Sequence, residues 1–179
     1  YESINIDLIL GLPCQTPESF ARTIEDVVRQ RPDRLALYAY AHLPQRFKPQ
    51  RRIAPAELPT GEQRVQMLGN ALAGFVASGY VYIGMDHFAL PDDALAVAKR
   101  QGRLHRNFQG YTTQPDCDLI GLGVSAIGRV GATYSQNAKT LSEYEDALAQ
   151  NELPVVRGLA LTRDDLLRRS VIMGLMCQG

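Results

Sequence analysis

The feature of this sequence that most constrains its fold is a predicted strand–helix–strand unit at the start of the chain. Residues 4–10, INIDLIL, form a nearly continuous apolar run, typical of a strand covered on both faces. Thr16 and Pro17 stand where a helix cap and a first helical residue are expected, and apolar residues then recur at helical spacing to about residue 30. Residues 34–41, RLALYAYA, predict a second strand. Because a helical crossover joins them, the two strands are expected to be parallel.

The rest of the chain continues the alternation of helices and strands. The segment Thr60-Gly61-Glu62-Gln63 has the pattern of a capping box, which predicts a second helix that ends at Gly79. A third strand is expected at 81–85. The apolar residues expected to form the buried face of the second helix are Val65, Leu68, Leu72, Phe75 and Val76. The further predicted helices run from about Pro91 to Gln101, from Thr140 to about Gln150, and from Thr162 onward. This order predicts an α/β fold, in which a barrel and an open sheet are both possible.

The stretch 106–128 is the segment whose composition most favours a binding site. Its first half, RNFQGYTT, is polar and aromatic and contains no aliphatic side chain, so it does not fit a core strand. Its second half includes the apolar run LIGLGVSAI, interrupted by Gly121 and Gly123. Glycine weakens a strand unless a ligand or another backbone approaches closely. Two interpretations remain open: a small-molecule site, or a surface loop followed by an ordinary strand.

Composition narrows the class of protein. The 179 residues include 19 basic and 19 acidic side chains, so charge gives no indication of nucleic acid or an anionic membrane as a partner. No apolar run reaches the ~18 residues that a membrane span needs. Cys14, Cys117 and Cys177 are odd in number and scattered, which argues against a disulfide framework and fits a reducing cytoplasm.

Four segments together make the chain resemble a known family: YESINIDLILGLPCQTPESF, YAHLP, IGMDHFALPDDALAVA and LHRNFQGYTT. The chain is similar along nearly its whole length to the oxygen-independent coproporphyrinogen III oxidases, which are radical S-adenosylmethionine enzymes of haem biosynthesis. The resemblance implies an incomplete parallel (β/α) barrel over residues 1–157, with an active-site loop at 105–128, followed by the start of a helical C-terminal domain at 158–179. The family's CxxxCxxC motif is absent here, so the chain is expected to be a piece of a longer protein.

The activity that the resemblance implies is the oxidative decarboxylation of two propionates of coproporphyrinogen III to vinyl groups, which gives protoporphyrinogen IX. It implies two S-adenosylmethionine molecules per active site and a [4Fe–4S] cluster bound by the missing N-terminal part. The expected partners are the substrate and an unidentified electron donor and acceptor, in the cytoplasm. The full-length protein is expected to be a monomer, whereas the piece alone is expected to be inactive. An edge strand and an apolar helix face left exposed in the piece should make it self-associate.

Three residues are predicted to contact S-adenosylmethionine. Asp7 interrupts a strand otherwise suited to burial, and a buried carboxylate needs either a structural partner or a ligand. The resemblance favours the ligand. Ala41 and Ile127 would be read as packing residues from their chemistry alone, and their assignment as cofactor contacts rests wholly on the resemblance.

Phe108 and Gln109 are the predicted active-site pair. An aromatic ring beside a primary amide suits a flat ligand with polar edges, and the resemblance places this motif at the active site. A loop anchor and a solvated amide are the alternatives that the residues alone leave open. Gly121 and Gly123 are expected to let the backbone pass close to a cofactor or to a neighbouring helix.

Other functions compete with the oxidase. His42, His87 and His105, with Asp86, would be the ligands of a metal-dependent barrel hydrolase, but their spacing matches no common metal motif. Cys14 and Cys117 are too few for an iron–sulfur cluster, which needs three or four thiolates. A related haem-binding chaperone is expected to read HNxxYW where this chain reads RNFQGYTT. The basic loop, formed by Arg46, Lys48, Arg51 and Arg52, is either a solvated face or an attractor of the substrate's carboxylates.

Overall fold

The computed structural model describes residues 3–114 and 117–178. Its contacts divide the chain into two compact units, the first formed by Tyr1–Gln101 and the second by Gly102–Gly179. Both units mix helices and strands, so the predicted α/β class is confirmed at that level. Among the described residues no helix combines the length and the apolar character that crossing a membrane requires.

The first unit contains a four-stranded sheet. Its strands and helices are β1 (Asn5–Leu10), α1 (Pro17–Gln30), β2 (Arg34–Ala39), α2 (Gly61–Ala77), β3 (Val81–Gly84), β4 (His87–Ala89) and α3 (Ala94–Arg100). The strand order is β1-β2-β4-β3. Strands β1 and β2 are parallel, with Asp7 opposite Ala36. The predicted strand–helix–strand unit is therefore confirmed.

Local capping explains why the first two helices begin where the sequence predicts. In α1 the Thr16 hydroxyl accepts a hydrogen bond from the Ser19 amide at 3.1 Å, and the Ser19 hydroxyl accepts one from the Thr16 amide at 2.9 Å. Thr60 and Gln63 form the same reciprocal arrangement at the start of α2. Such pairs satisfy amide groups that a helix start would otherwise leave without a partner.

A short strand missed by the sequence analysis makes the sheet mixed rather than wholly parallel. Strand β4 lies between β2 and β3 and is antiparallel to both. The chain reverses between β3 and β4 through three positive φ angles, 146° at Gly84, 36° at Met85 and 69° at Asp86. The Leu37 amide donates to the Asp86 carbonyl at 2.8 Å, which fixes this turn beside β2.

The core of the first unit lies between α1, α2 and one face of the sheet. Helix α1 buries Phe20, Ile24 and Val27, as its periodicity predicts. In α2 the buried residues are instead Met67, Ala71 and Phe75.

The predicted buried face of α2 was therefore partly wrong. Val65 is 71% exposed and Val76 is 57% exposed, whereas Leu68 and Leu72 pack at the edge of the core. The i, i+4, i+8 row from Met67 to Phe75 faces the sheet because the pairing of α2 with α1 sets its rotation, which the apolar pattern alone did not determine.

Strand β1 is covered on one face only. Leu10 is buried and Ile6 and Leu8 are partly buried against the core, while Asn5, Asp7 and Ile9 alternate with them on the exposed face. The prediction of a strand covered on both faces is thus wrong for the described residues. The side-chain period of two in a strand explains how an apolar run can still have one open face.

The second unit is a hairpin, a three-stranded sheet and two helices. Its elements are β5 (His105–Asn107), β6 (Gly110–Thr112), β7 (Ile127–Val130), β8 (Thr133–Asn137), α4 (Leu141–Ala149), β9 (Val155–Ala160) and α5 (Arg163–Gln178). Strands β5 and β6 pair with each other, and β7-β8-β9 form an antiparallel sheet. Strand β9 runs through residue 157, and the domain division predicted there stays a prediction.

The expected strand in the glycine-interrupted run 119–127 is absent over most of that segment. Its pairing before Ile127 is a single bridge in which the Leu119 and Arg129 backbones exchange hydrogen bonds of 2.7 Å. The strand begins only at Ile127. Apolar composition predicted a strand here, whereas the backbone of 121–126 forms a loop.

Candidate ligand-binding groove

The second unit contains a groove of about 930 Å³. It is lined by the β5–β6 hairpin, by residue 114 and residues 117–119, by β7 and β8, and by one side of α5. Its volume lies within the ~300–1,000 Å³ that is usual for sites of cofactors and other small molecules. The predicted active-site pair, Phe108 and Gln109, lines this groove.

Phe108 and Gln109 form the two-residue turn of the hairpin, between the paired residues Asn107 and Gly110. The Asn107 side-chain oxygen accepts a hydrogen bond from the Gln109 amide at 2.8 Å and so closes the turn. Gly110 follows with a φ of 131°, which few other residues adopt. Local turn chemistry therefore presents two adjacent side chains at the tip of a hairpin.

The Phe108 ring is 59% exposed, yet it has one defined neighbour. It meets the ring of Tyr134, from β8, with centroids 5.5 Å apart and planes at 88°. Gln109 is exposed, and among residues 3–114 and 117–178 its side-chain amide has no hydrogen-bond partner. The ring is positioned by the sheet, whereas the amide is available to a ligand.

Arg106 lies on β5 directly opposite Tyr111 on β6. Its guanidinium carbon is 4.9 Å from the centroid of the Tyr111 ring, and the Tyr111 hydroxyl donates to the Met176 carbonyl of α5 at 3.0 Å. One terminal nitrogen, Nη1, is buried and has no hydrogen-bond partner within the part of the chain that the structure describes. A half-buried positive charge thus stands in the wall of the groove.

Three other arginines line the groove, and each has a polar partner. Arg129 donates to the Cys117 carbonyl at 2.8 Å, Arg168 pairs with Asp164 at 2.6 Å, and Arg169 donates to the Tyr134 hydroxyl at 3.2 Å. Among the described residues, the acidic ones in the lining are Asp118 and Asp165. With four arginines and two aspartates among the lining residues that the structure describes, the groove favours a negatively charged ligand.

Both groove aspartates are engaged by groups of the chain itself. Asp118 accepts the Gly131 amide at 2.7 Å. Asp165 accepts the backbone amide of Thr162 at 2.9 Å and its hydroxyl at 2.7 Å. These hydrogen bonds, that from the backbone first, hold the pKa of Asp165 below its ordinary value.

Ile127, one of the predicted cofactor contacts, is half-buried at the start of β7 and is not among the residues that line the groove. The loop before it is fixed by Asn137, a residue that the sequence analysis did not single out. The Asn137 side chain is 7% exposed and donates to the carbonyls of Gly121 at 3.1 Å and Gly123 at 2.9 Å.

The two glycines of this loop are required by the backbone conformation of the loop itself. A Cβ on Gly121 would lie 2.8 Å from the Ile127 carbonyl oxygen, and Gly123 has a φ of 98°. The close approach predicted from these glycines is real at Gly121, but the group approached is the neighbouring backbone rather than a helix.

The other two predicted cofactor contacts, Asp7 and Ala41, belong to the first unit. The Asp7 carboxylate is exposed and accepts a hydrogen bond from the Asn5 side chain at 2.6 Å, so the expectation of a buried carboxylate is wrong. Its exposed oxygens suit hydrogen bonds from ribose hydroxyls or an ammonium group. The Ala41 carbonyl accepts from the Gln50 side chain at 3.0 Å.

No group of three or more histidine, cysteine, aspartate or glutamate side chains is placed to hold a metal ion within residues 3–114 and 117–178. Cys14 belongs to the first unit, whereas Cys117 and Cys177 belong to the second, and Cys177 is buried. These residues do not fit an iron–sulfur cluster. The His87 Nδ1 atom lies 2.7 Å from the Met85 carbonyl oxygen.

The basic loop is exposed in the first unit. Its four cations, Arg46, Lys48, Arg51 and Arg52, all lie at the surface, and Arg51 donates to the Pro44 carbonyl at 2.9 Å. Either predicted role, a solvated face or an attractor of carboxylates, stays a prediction.

Three curated relatives that the chain matches share one name. No family model matches the chain. An oxygen-independent coproporphyrinogen III oxidase from Pseudomonas aeruginosa is 55% identical over 177 residues, which is 99% of this chain and 38% of that protein. Relatives of the same name from Escherichia coli and Synechocystis are 55% and 44% identical, again over 99% of this chain and over 39% and 38% of theirs.

The structure is also similar to a solved one. The coproporphyrinogen III oxidase HemN from Escherichia coli, described as a radical SAM enzyme, matches with a TM-score of 0.95 and 55% identity. The match covers 98% of this chain and 41% of that one. The chain thus spans about two fifths of the length of the proteins that it matches.

Proposed function

This chain belongs, over the stretch that it spans, to the oxygen-independent coproporphyrinogen III oxidases, and from that premise we propose that it forms part of a radical S-adenosylmethionine oxidoreductase of porphyrin biosynthesis. The proposed reaction is the oxidative decarboxylation of two propionates of coproporphyrinogen III to vinyl groups, giving protoporphyrinogen IX. The observation that carries the proposal is 55% identity over 99% of the chain to a protein of that name.

The groove of the second unit is the proposed substrate-facing surface. Coproporphyrinogen III is a large macrocycle with four carboxylates, and the groove combines about 930 Å³ of space with four arginines and aromatic side chains. In this proposal Phe108 contacts the macrocycle with its exposed ring, and the unpaired amide of Gln109 hydrogen-bonds substrate or cofactor. Their shared turn fixes the spacing between the two contacts.

S-adenosylmethionine would supply the radical chemistry when bound. The exposed Asp7 carboxylate fits this cofactor, because it can accept hydrogen bonds from ribose hydroxyls or stand beside the ammonium group. Ala41 and Ile127 are proposed as further contacts, the first through its backbone and the second through its half-buried side chain. Two cofactor molecules per site remain part of the proposal.

The iron–sulfur cluster is proposed to lie in a part of the enzyme that this chain does not cover, since the described cysteines do not fit it. We further propose that the first unit contributes strands to an incomplete (β/α) barrel, that residues 158–179 begin a helical C-terminal domain, and that the whole enzyme is a cytoplasmic monomer. The 179-residue chain alone is expected to be inactive.

The experiment that tests this function compares the enzyme at the relatives' full length with the 179-residue chain. Under anaerobic conditions, with reductant and S-adenosylmethionine, the full-length protein should form protoporphyrinogen IX from coproporphyrinogen III. The isolated chain, reconstituted with iron and sulfide, should show neither turnover nor the absorption of a [4Fe–4S] cluster. A full-length protein that holds its cluster, binds haem stably and shows no turnover would contradict the proposal and favour a haem chaperone.

A further inference from the structure

We propose that Arg106 is a carboxylate anchor of the groove, binding a carboxylate of the ligand and thereby fixing that ligand relative to the Phe108–Gln109 turn. The inference rests on the proposed function, since it concerns the ligands of the same site.

The electrostatic state of Arg106 sets it apart from the other groove arginines. Arg129, Arg168 and Arg169 each have a carbonyl, carboxylate or hydroxyl oxygen as a partner. Arg106 has a buried Nη1 without a hydrogen-bond partner in the described part of the chain. Withdrawing this one nitrogen from water is unfavourable unless an acceptor compensates the charge of the half-buried guanidinium, and a ligand carboxylate would supply that acceptor.

The two aspartates among the described lining residues already accept hydrogen bonds from the chain itself. Asp165 accepts both the amide and the hydroxyl of Thr162, and Asp118 accepts the Gly131 amide. No ion pair joins Arg106 to an acidic residue within 3–114 and 117–178. No carboxylate of the described residues therefore compensates the charge of Arg106.

The side chain is also held in place before any ligand arrives. Arg106 and Tyr111 are cross-strand partners, and the guanidinium carbon lies 4.9 Å from the Tyr111 ring centroid. The Tyr111 hydroxyl is tied to the Met176 carbonyl at 3.0 Å, so that the ring itself is anchored to α5. A planar guanidinium fixed in this way loses little freedom on binding and can offer two parallel donors to one carboxylate.

The position of Arg106 indicates which ligand atoms it would reach. It lines the groove one residue before Asn107, whose side chain closes the turn that carries Phe108 and Gln109. The bound carboxylate can belong to a propionate of the macrocycle or to the amino-acid end of S-adenosylmethionine. The shared chemistry is a carboxylate, and binding measurements with each molecule separate the two sources.

The test uses three variants of the full-length enzyme. Arg106→Gln removes the charge and keeps a polar side chain, Arg106→Lys keeps the charge without the planar pair of donors, and Arg163→Gln is the control. Arg163 is an exposed arginine at the start of α5 and is not among the residues that line the groove. Equilibrium binding is measured with coproporphyrin III, with its tetramethyl ester and with S-adenosylmethionine, and each variant is also assayed for turnover.

Arg106→Gln should weaken binding of one of the two carboxylate ligands by about tenfold or more, as expected for loss of a charge-assisted pair. Arg106→Lys should recover part of that loss, and Arg163→Gln should stay within about twofold of the wild type, as expected for an exposed side chain outside the groove. A loss confined to coproporphyrin III, with the ester bound equally by wild type and variant, identifies a propionate. A loss confined to S-adenosylmethionine identifies the cofactor.

Unchanged affinity of Arg106→Gln for both ligands would overturn the inference, and normal turnover of the wild type would leave the proposed function standing. If the wild type holds its cluster but makes no protoporphyrinogen, the proposed function fails, whereas a selective loss of coproporphyrin binding in Arg106→Gln would still support the anchor. If Arg106→Gln fails to fold, the Arg106→Lys variant provides the test. Wild-type affinity of Arg106→Lys for both ligands, together with an unchanged KM, would contradict a contact in which two guanidinium donors bind one carboxylate.

Discussion

The ring of Phe108 meets the ring of Tyr134 edge to face, with centroids 5.5 Å apart. The contact joins the tip of the β5–β6 hairpin to strand β8, which belongs to a separate sheet of the same unit. A turn residue that is 59% exposed is thereby held in one orientation. The position of the turn therefore depends on the three-stranded sheet that carries Tyr134.

Replacing Phe108 by Ala should reduce turnover more than it reduces stability. The lost aromatic contact is worth about 0.5–1.5 kcal/mol, and the exposed ring buries little further area. If the ring contacts the macrocycle, KM for coproporphyrinogen should rise as well. Urea unfolding and anaerobic steady-state kinetics of the full-length enzyme measure both effects. Phe108→Tyr, which keeps the ring, is the control and should remain close to the wild type; equal damage from both substitutions would contradict the prediction.

Gln109→Ala should leave the fold almost intact and slow turnover by about tenfold to a hundredfold. The side chain is exposed, so its removal should cost under ~1 kcal/mol of stability. Loss of a positioning hydrogen bond acts on geometry at the reacting centre, at ~1.4 kcal/mol per tenfold in rate. The matched control is Gln114→Ala, an exposed amide in the lining of the same groove. Normal turnover of the Gln109→Ala enzyme, or a loss of turnover that is fully explained by a lowered melting temperature, would mean that the turn has only a structural role.

Asn137→Ala should destabilise the second unit substantially. The buried side chain donates to the carbonyls of Gly121 and Gly123, and leaving buried polar groups unpaired costs about 1–3 kcal/mol. Because the same loop leads into Ile127, binding of S-adenosylmethionine should weaken if Ile127 is a cofactor contact. The free energy of unfolding in urea checks the first effect and equilibrium binding the second.

Gln136→Ala is the control for Asn137, since Gln136 is its neighbour and its amide reaches the Ser125 carbonyl only at 3.4 Å. The control should lose well under ~1 kcal/mol, as a long and half-exposed contact contributes little. Equal losses in the two variants would show that the paired bonds of Asn137 do not organise the loop.

The extent to which the sequence predicted the fold depends on how local the causes are. The starts of α1 and α2 follow from capping residues only three positions apart, Thr16 with Ser19 and Thr60 with Gln63, and both were predicted at the right place. Strand β4 is three residues long, follows a turn of positive φ angles and is paired on both sides. Three residues are too few to show the alternation of apolar and polar side chains from which a strand is predicted. The apolar composition of residues 121–126 predicts a strand. The segment is a loop instead, because the Asn137 side chain, more than ten residues later in the sequence, binds the carbonyls of Gly121 and Gly123.

The site shows the same division between local and distant causes. Phe108 and Gln109 were predicted from the resemblance, and the hairpin places both in the groove. Asp7 was predicted to be buried, but which face of β1 is covered is settled by packing against α1 and α2, and Asp7 lies on the other face. Arg106 was visible as a residue of the motif, whereas its unpaired charge appears only once Tyr111 and α5 surround it.

The start of helix α5 should lose stability in acid through Asp165. Hydrogen bonds from the Thr162 amide and hydroxyl hold the pKa of this carboxyl below its ordinary value, so the folded state favours the ionised form. A depressed pKa contributes stability above the pKa of the unfolded chain, and that contribution is lost as the pH falls through the folded pKa. Protonation below the ordinary carboxyl range should therefore fray the first turn of α5, next to the groove residues Arg168 and Arg169. Hydrogen exchange of the α5 amides as a function of pH measures the fraying. Asp165→Asn should remove most of the acid dependence, whereas Asp164→Asn, which alters an exposed carboxylate paired with Arg168, should preserve it. If Asp165→Asn and the wild type lose protection at the same pH, the cap does not control this end of the helix.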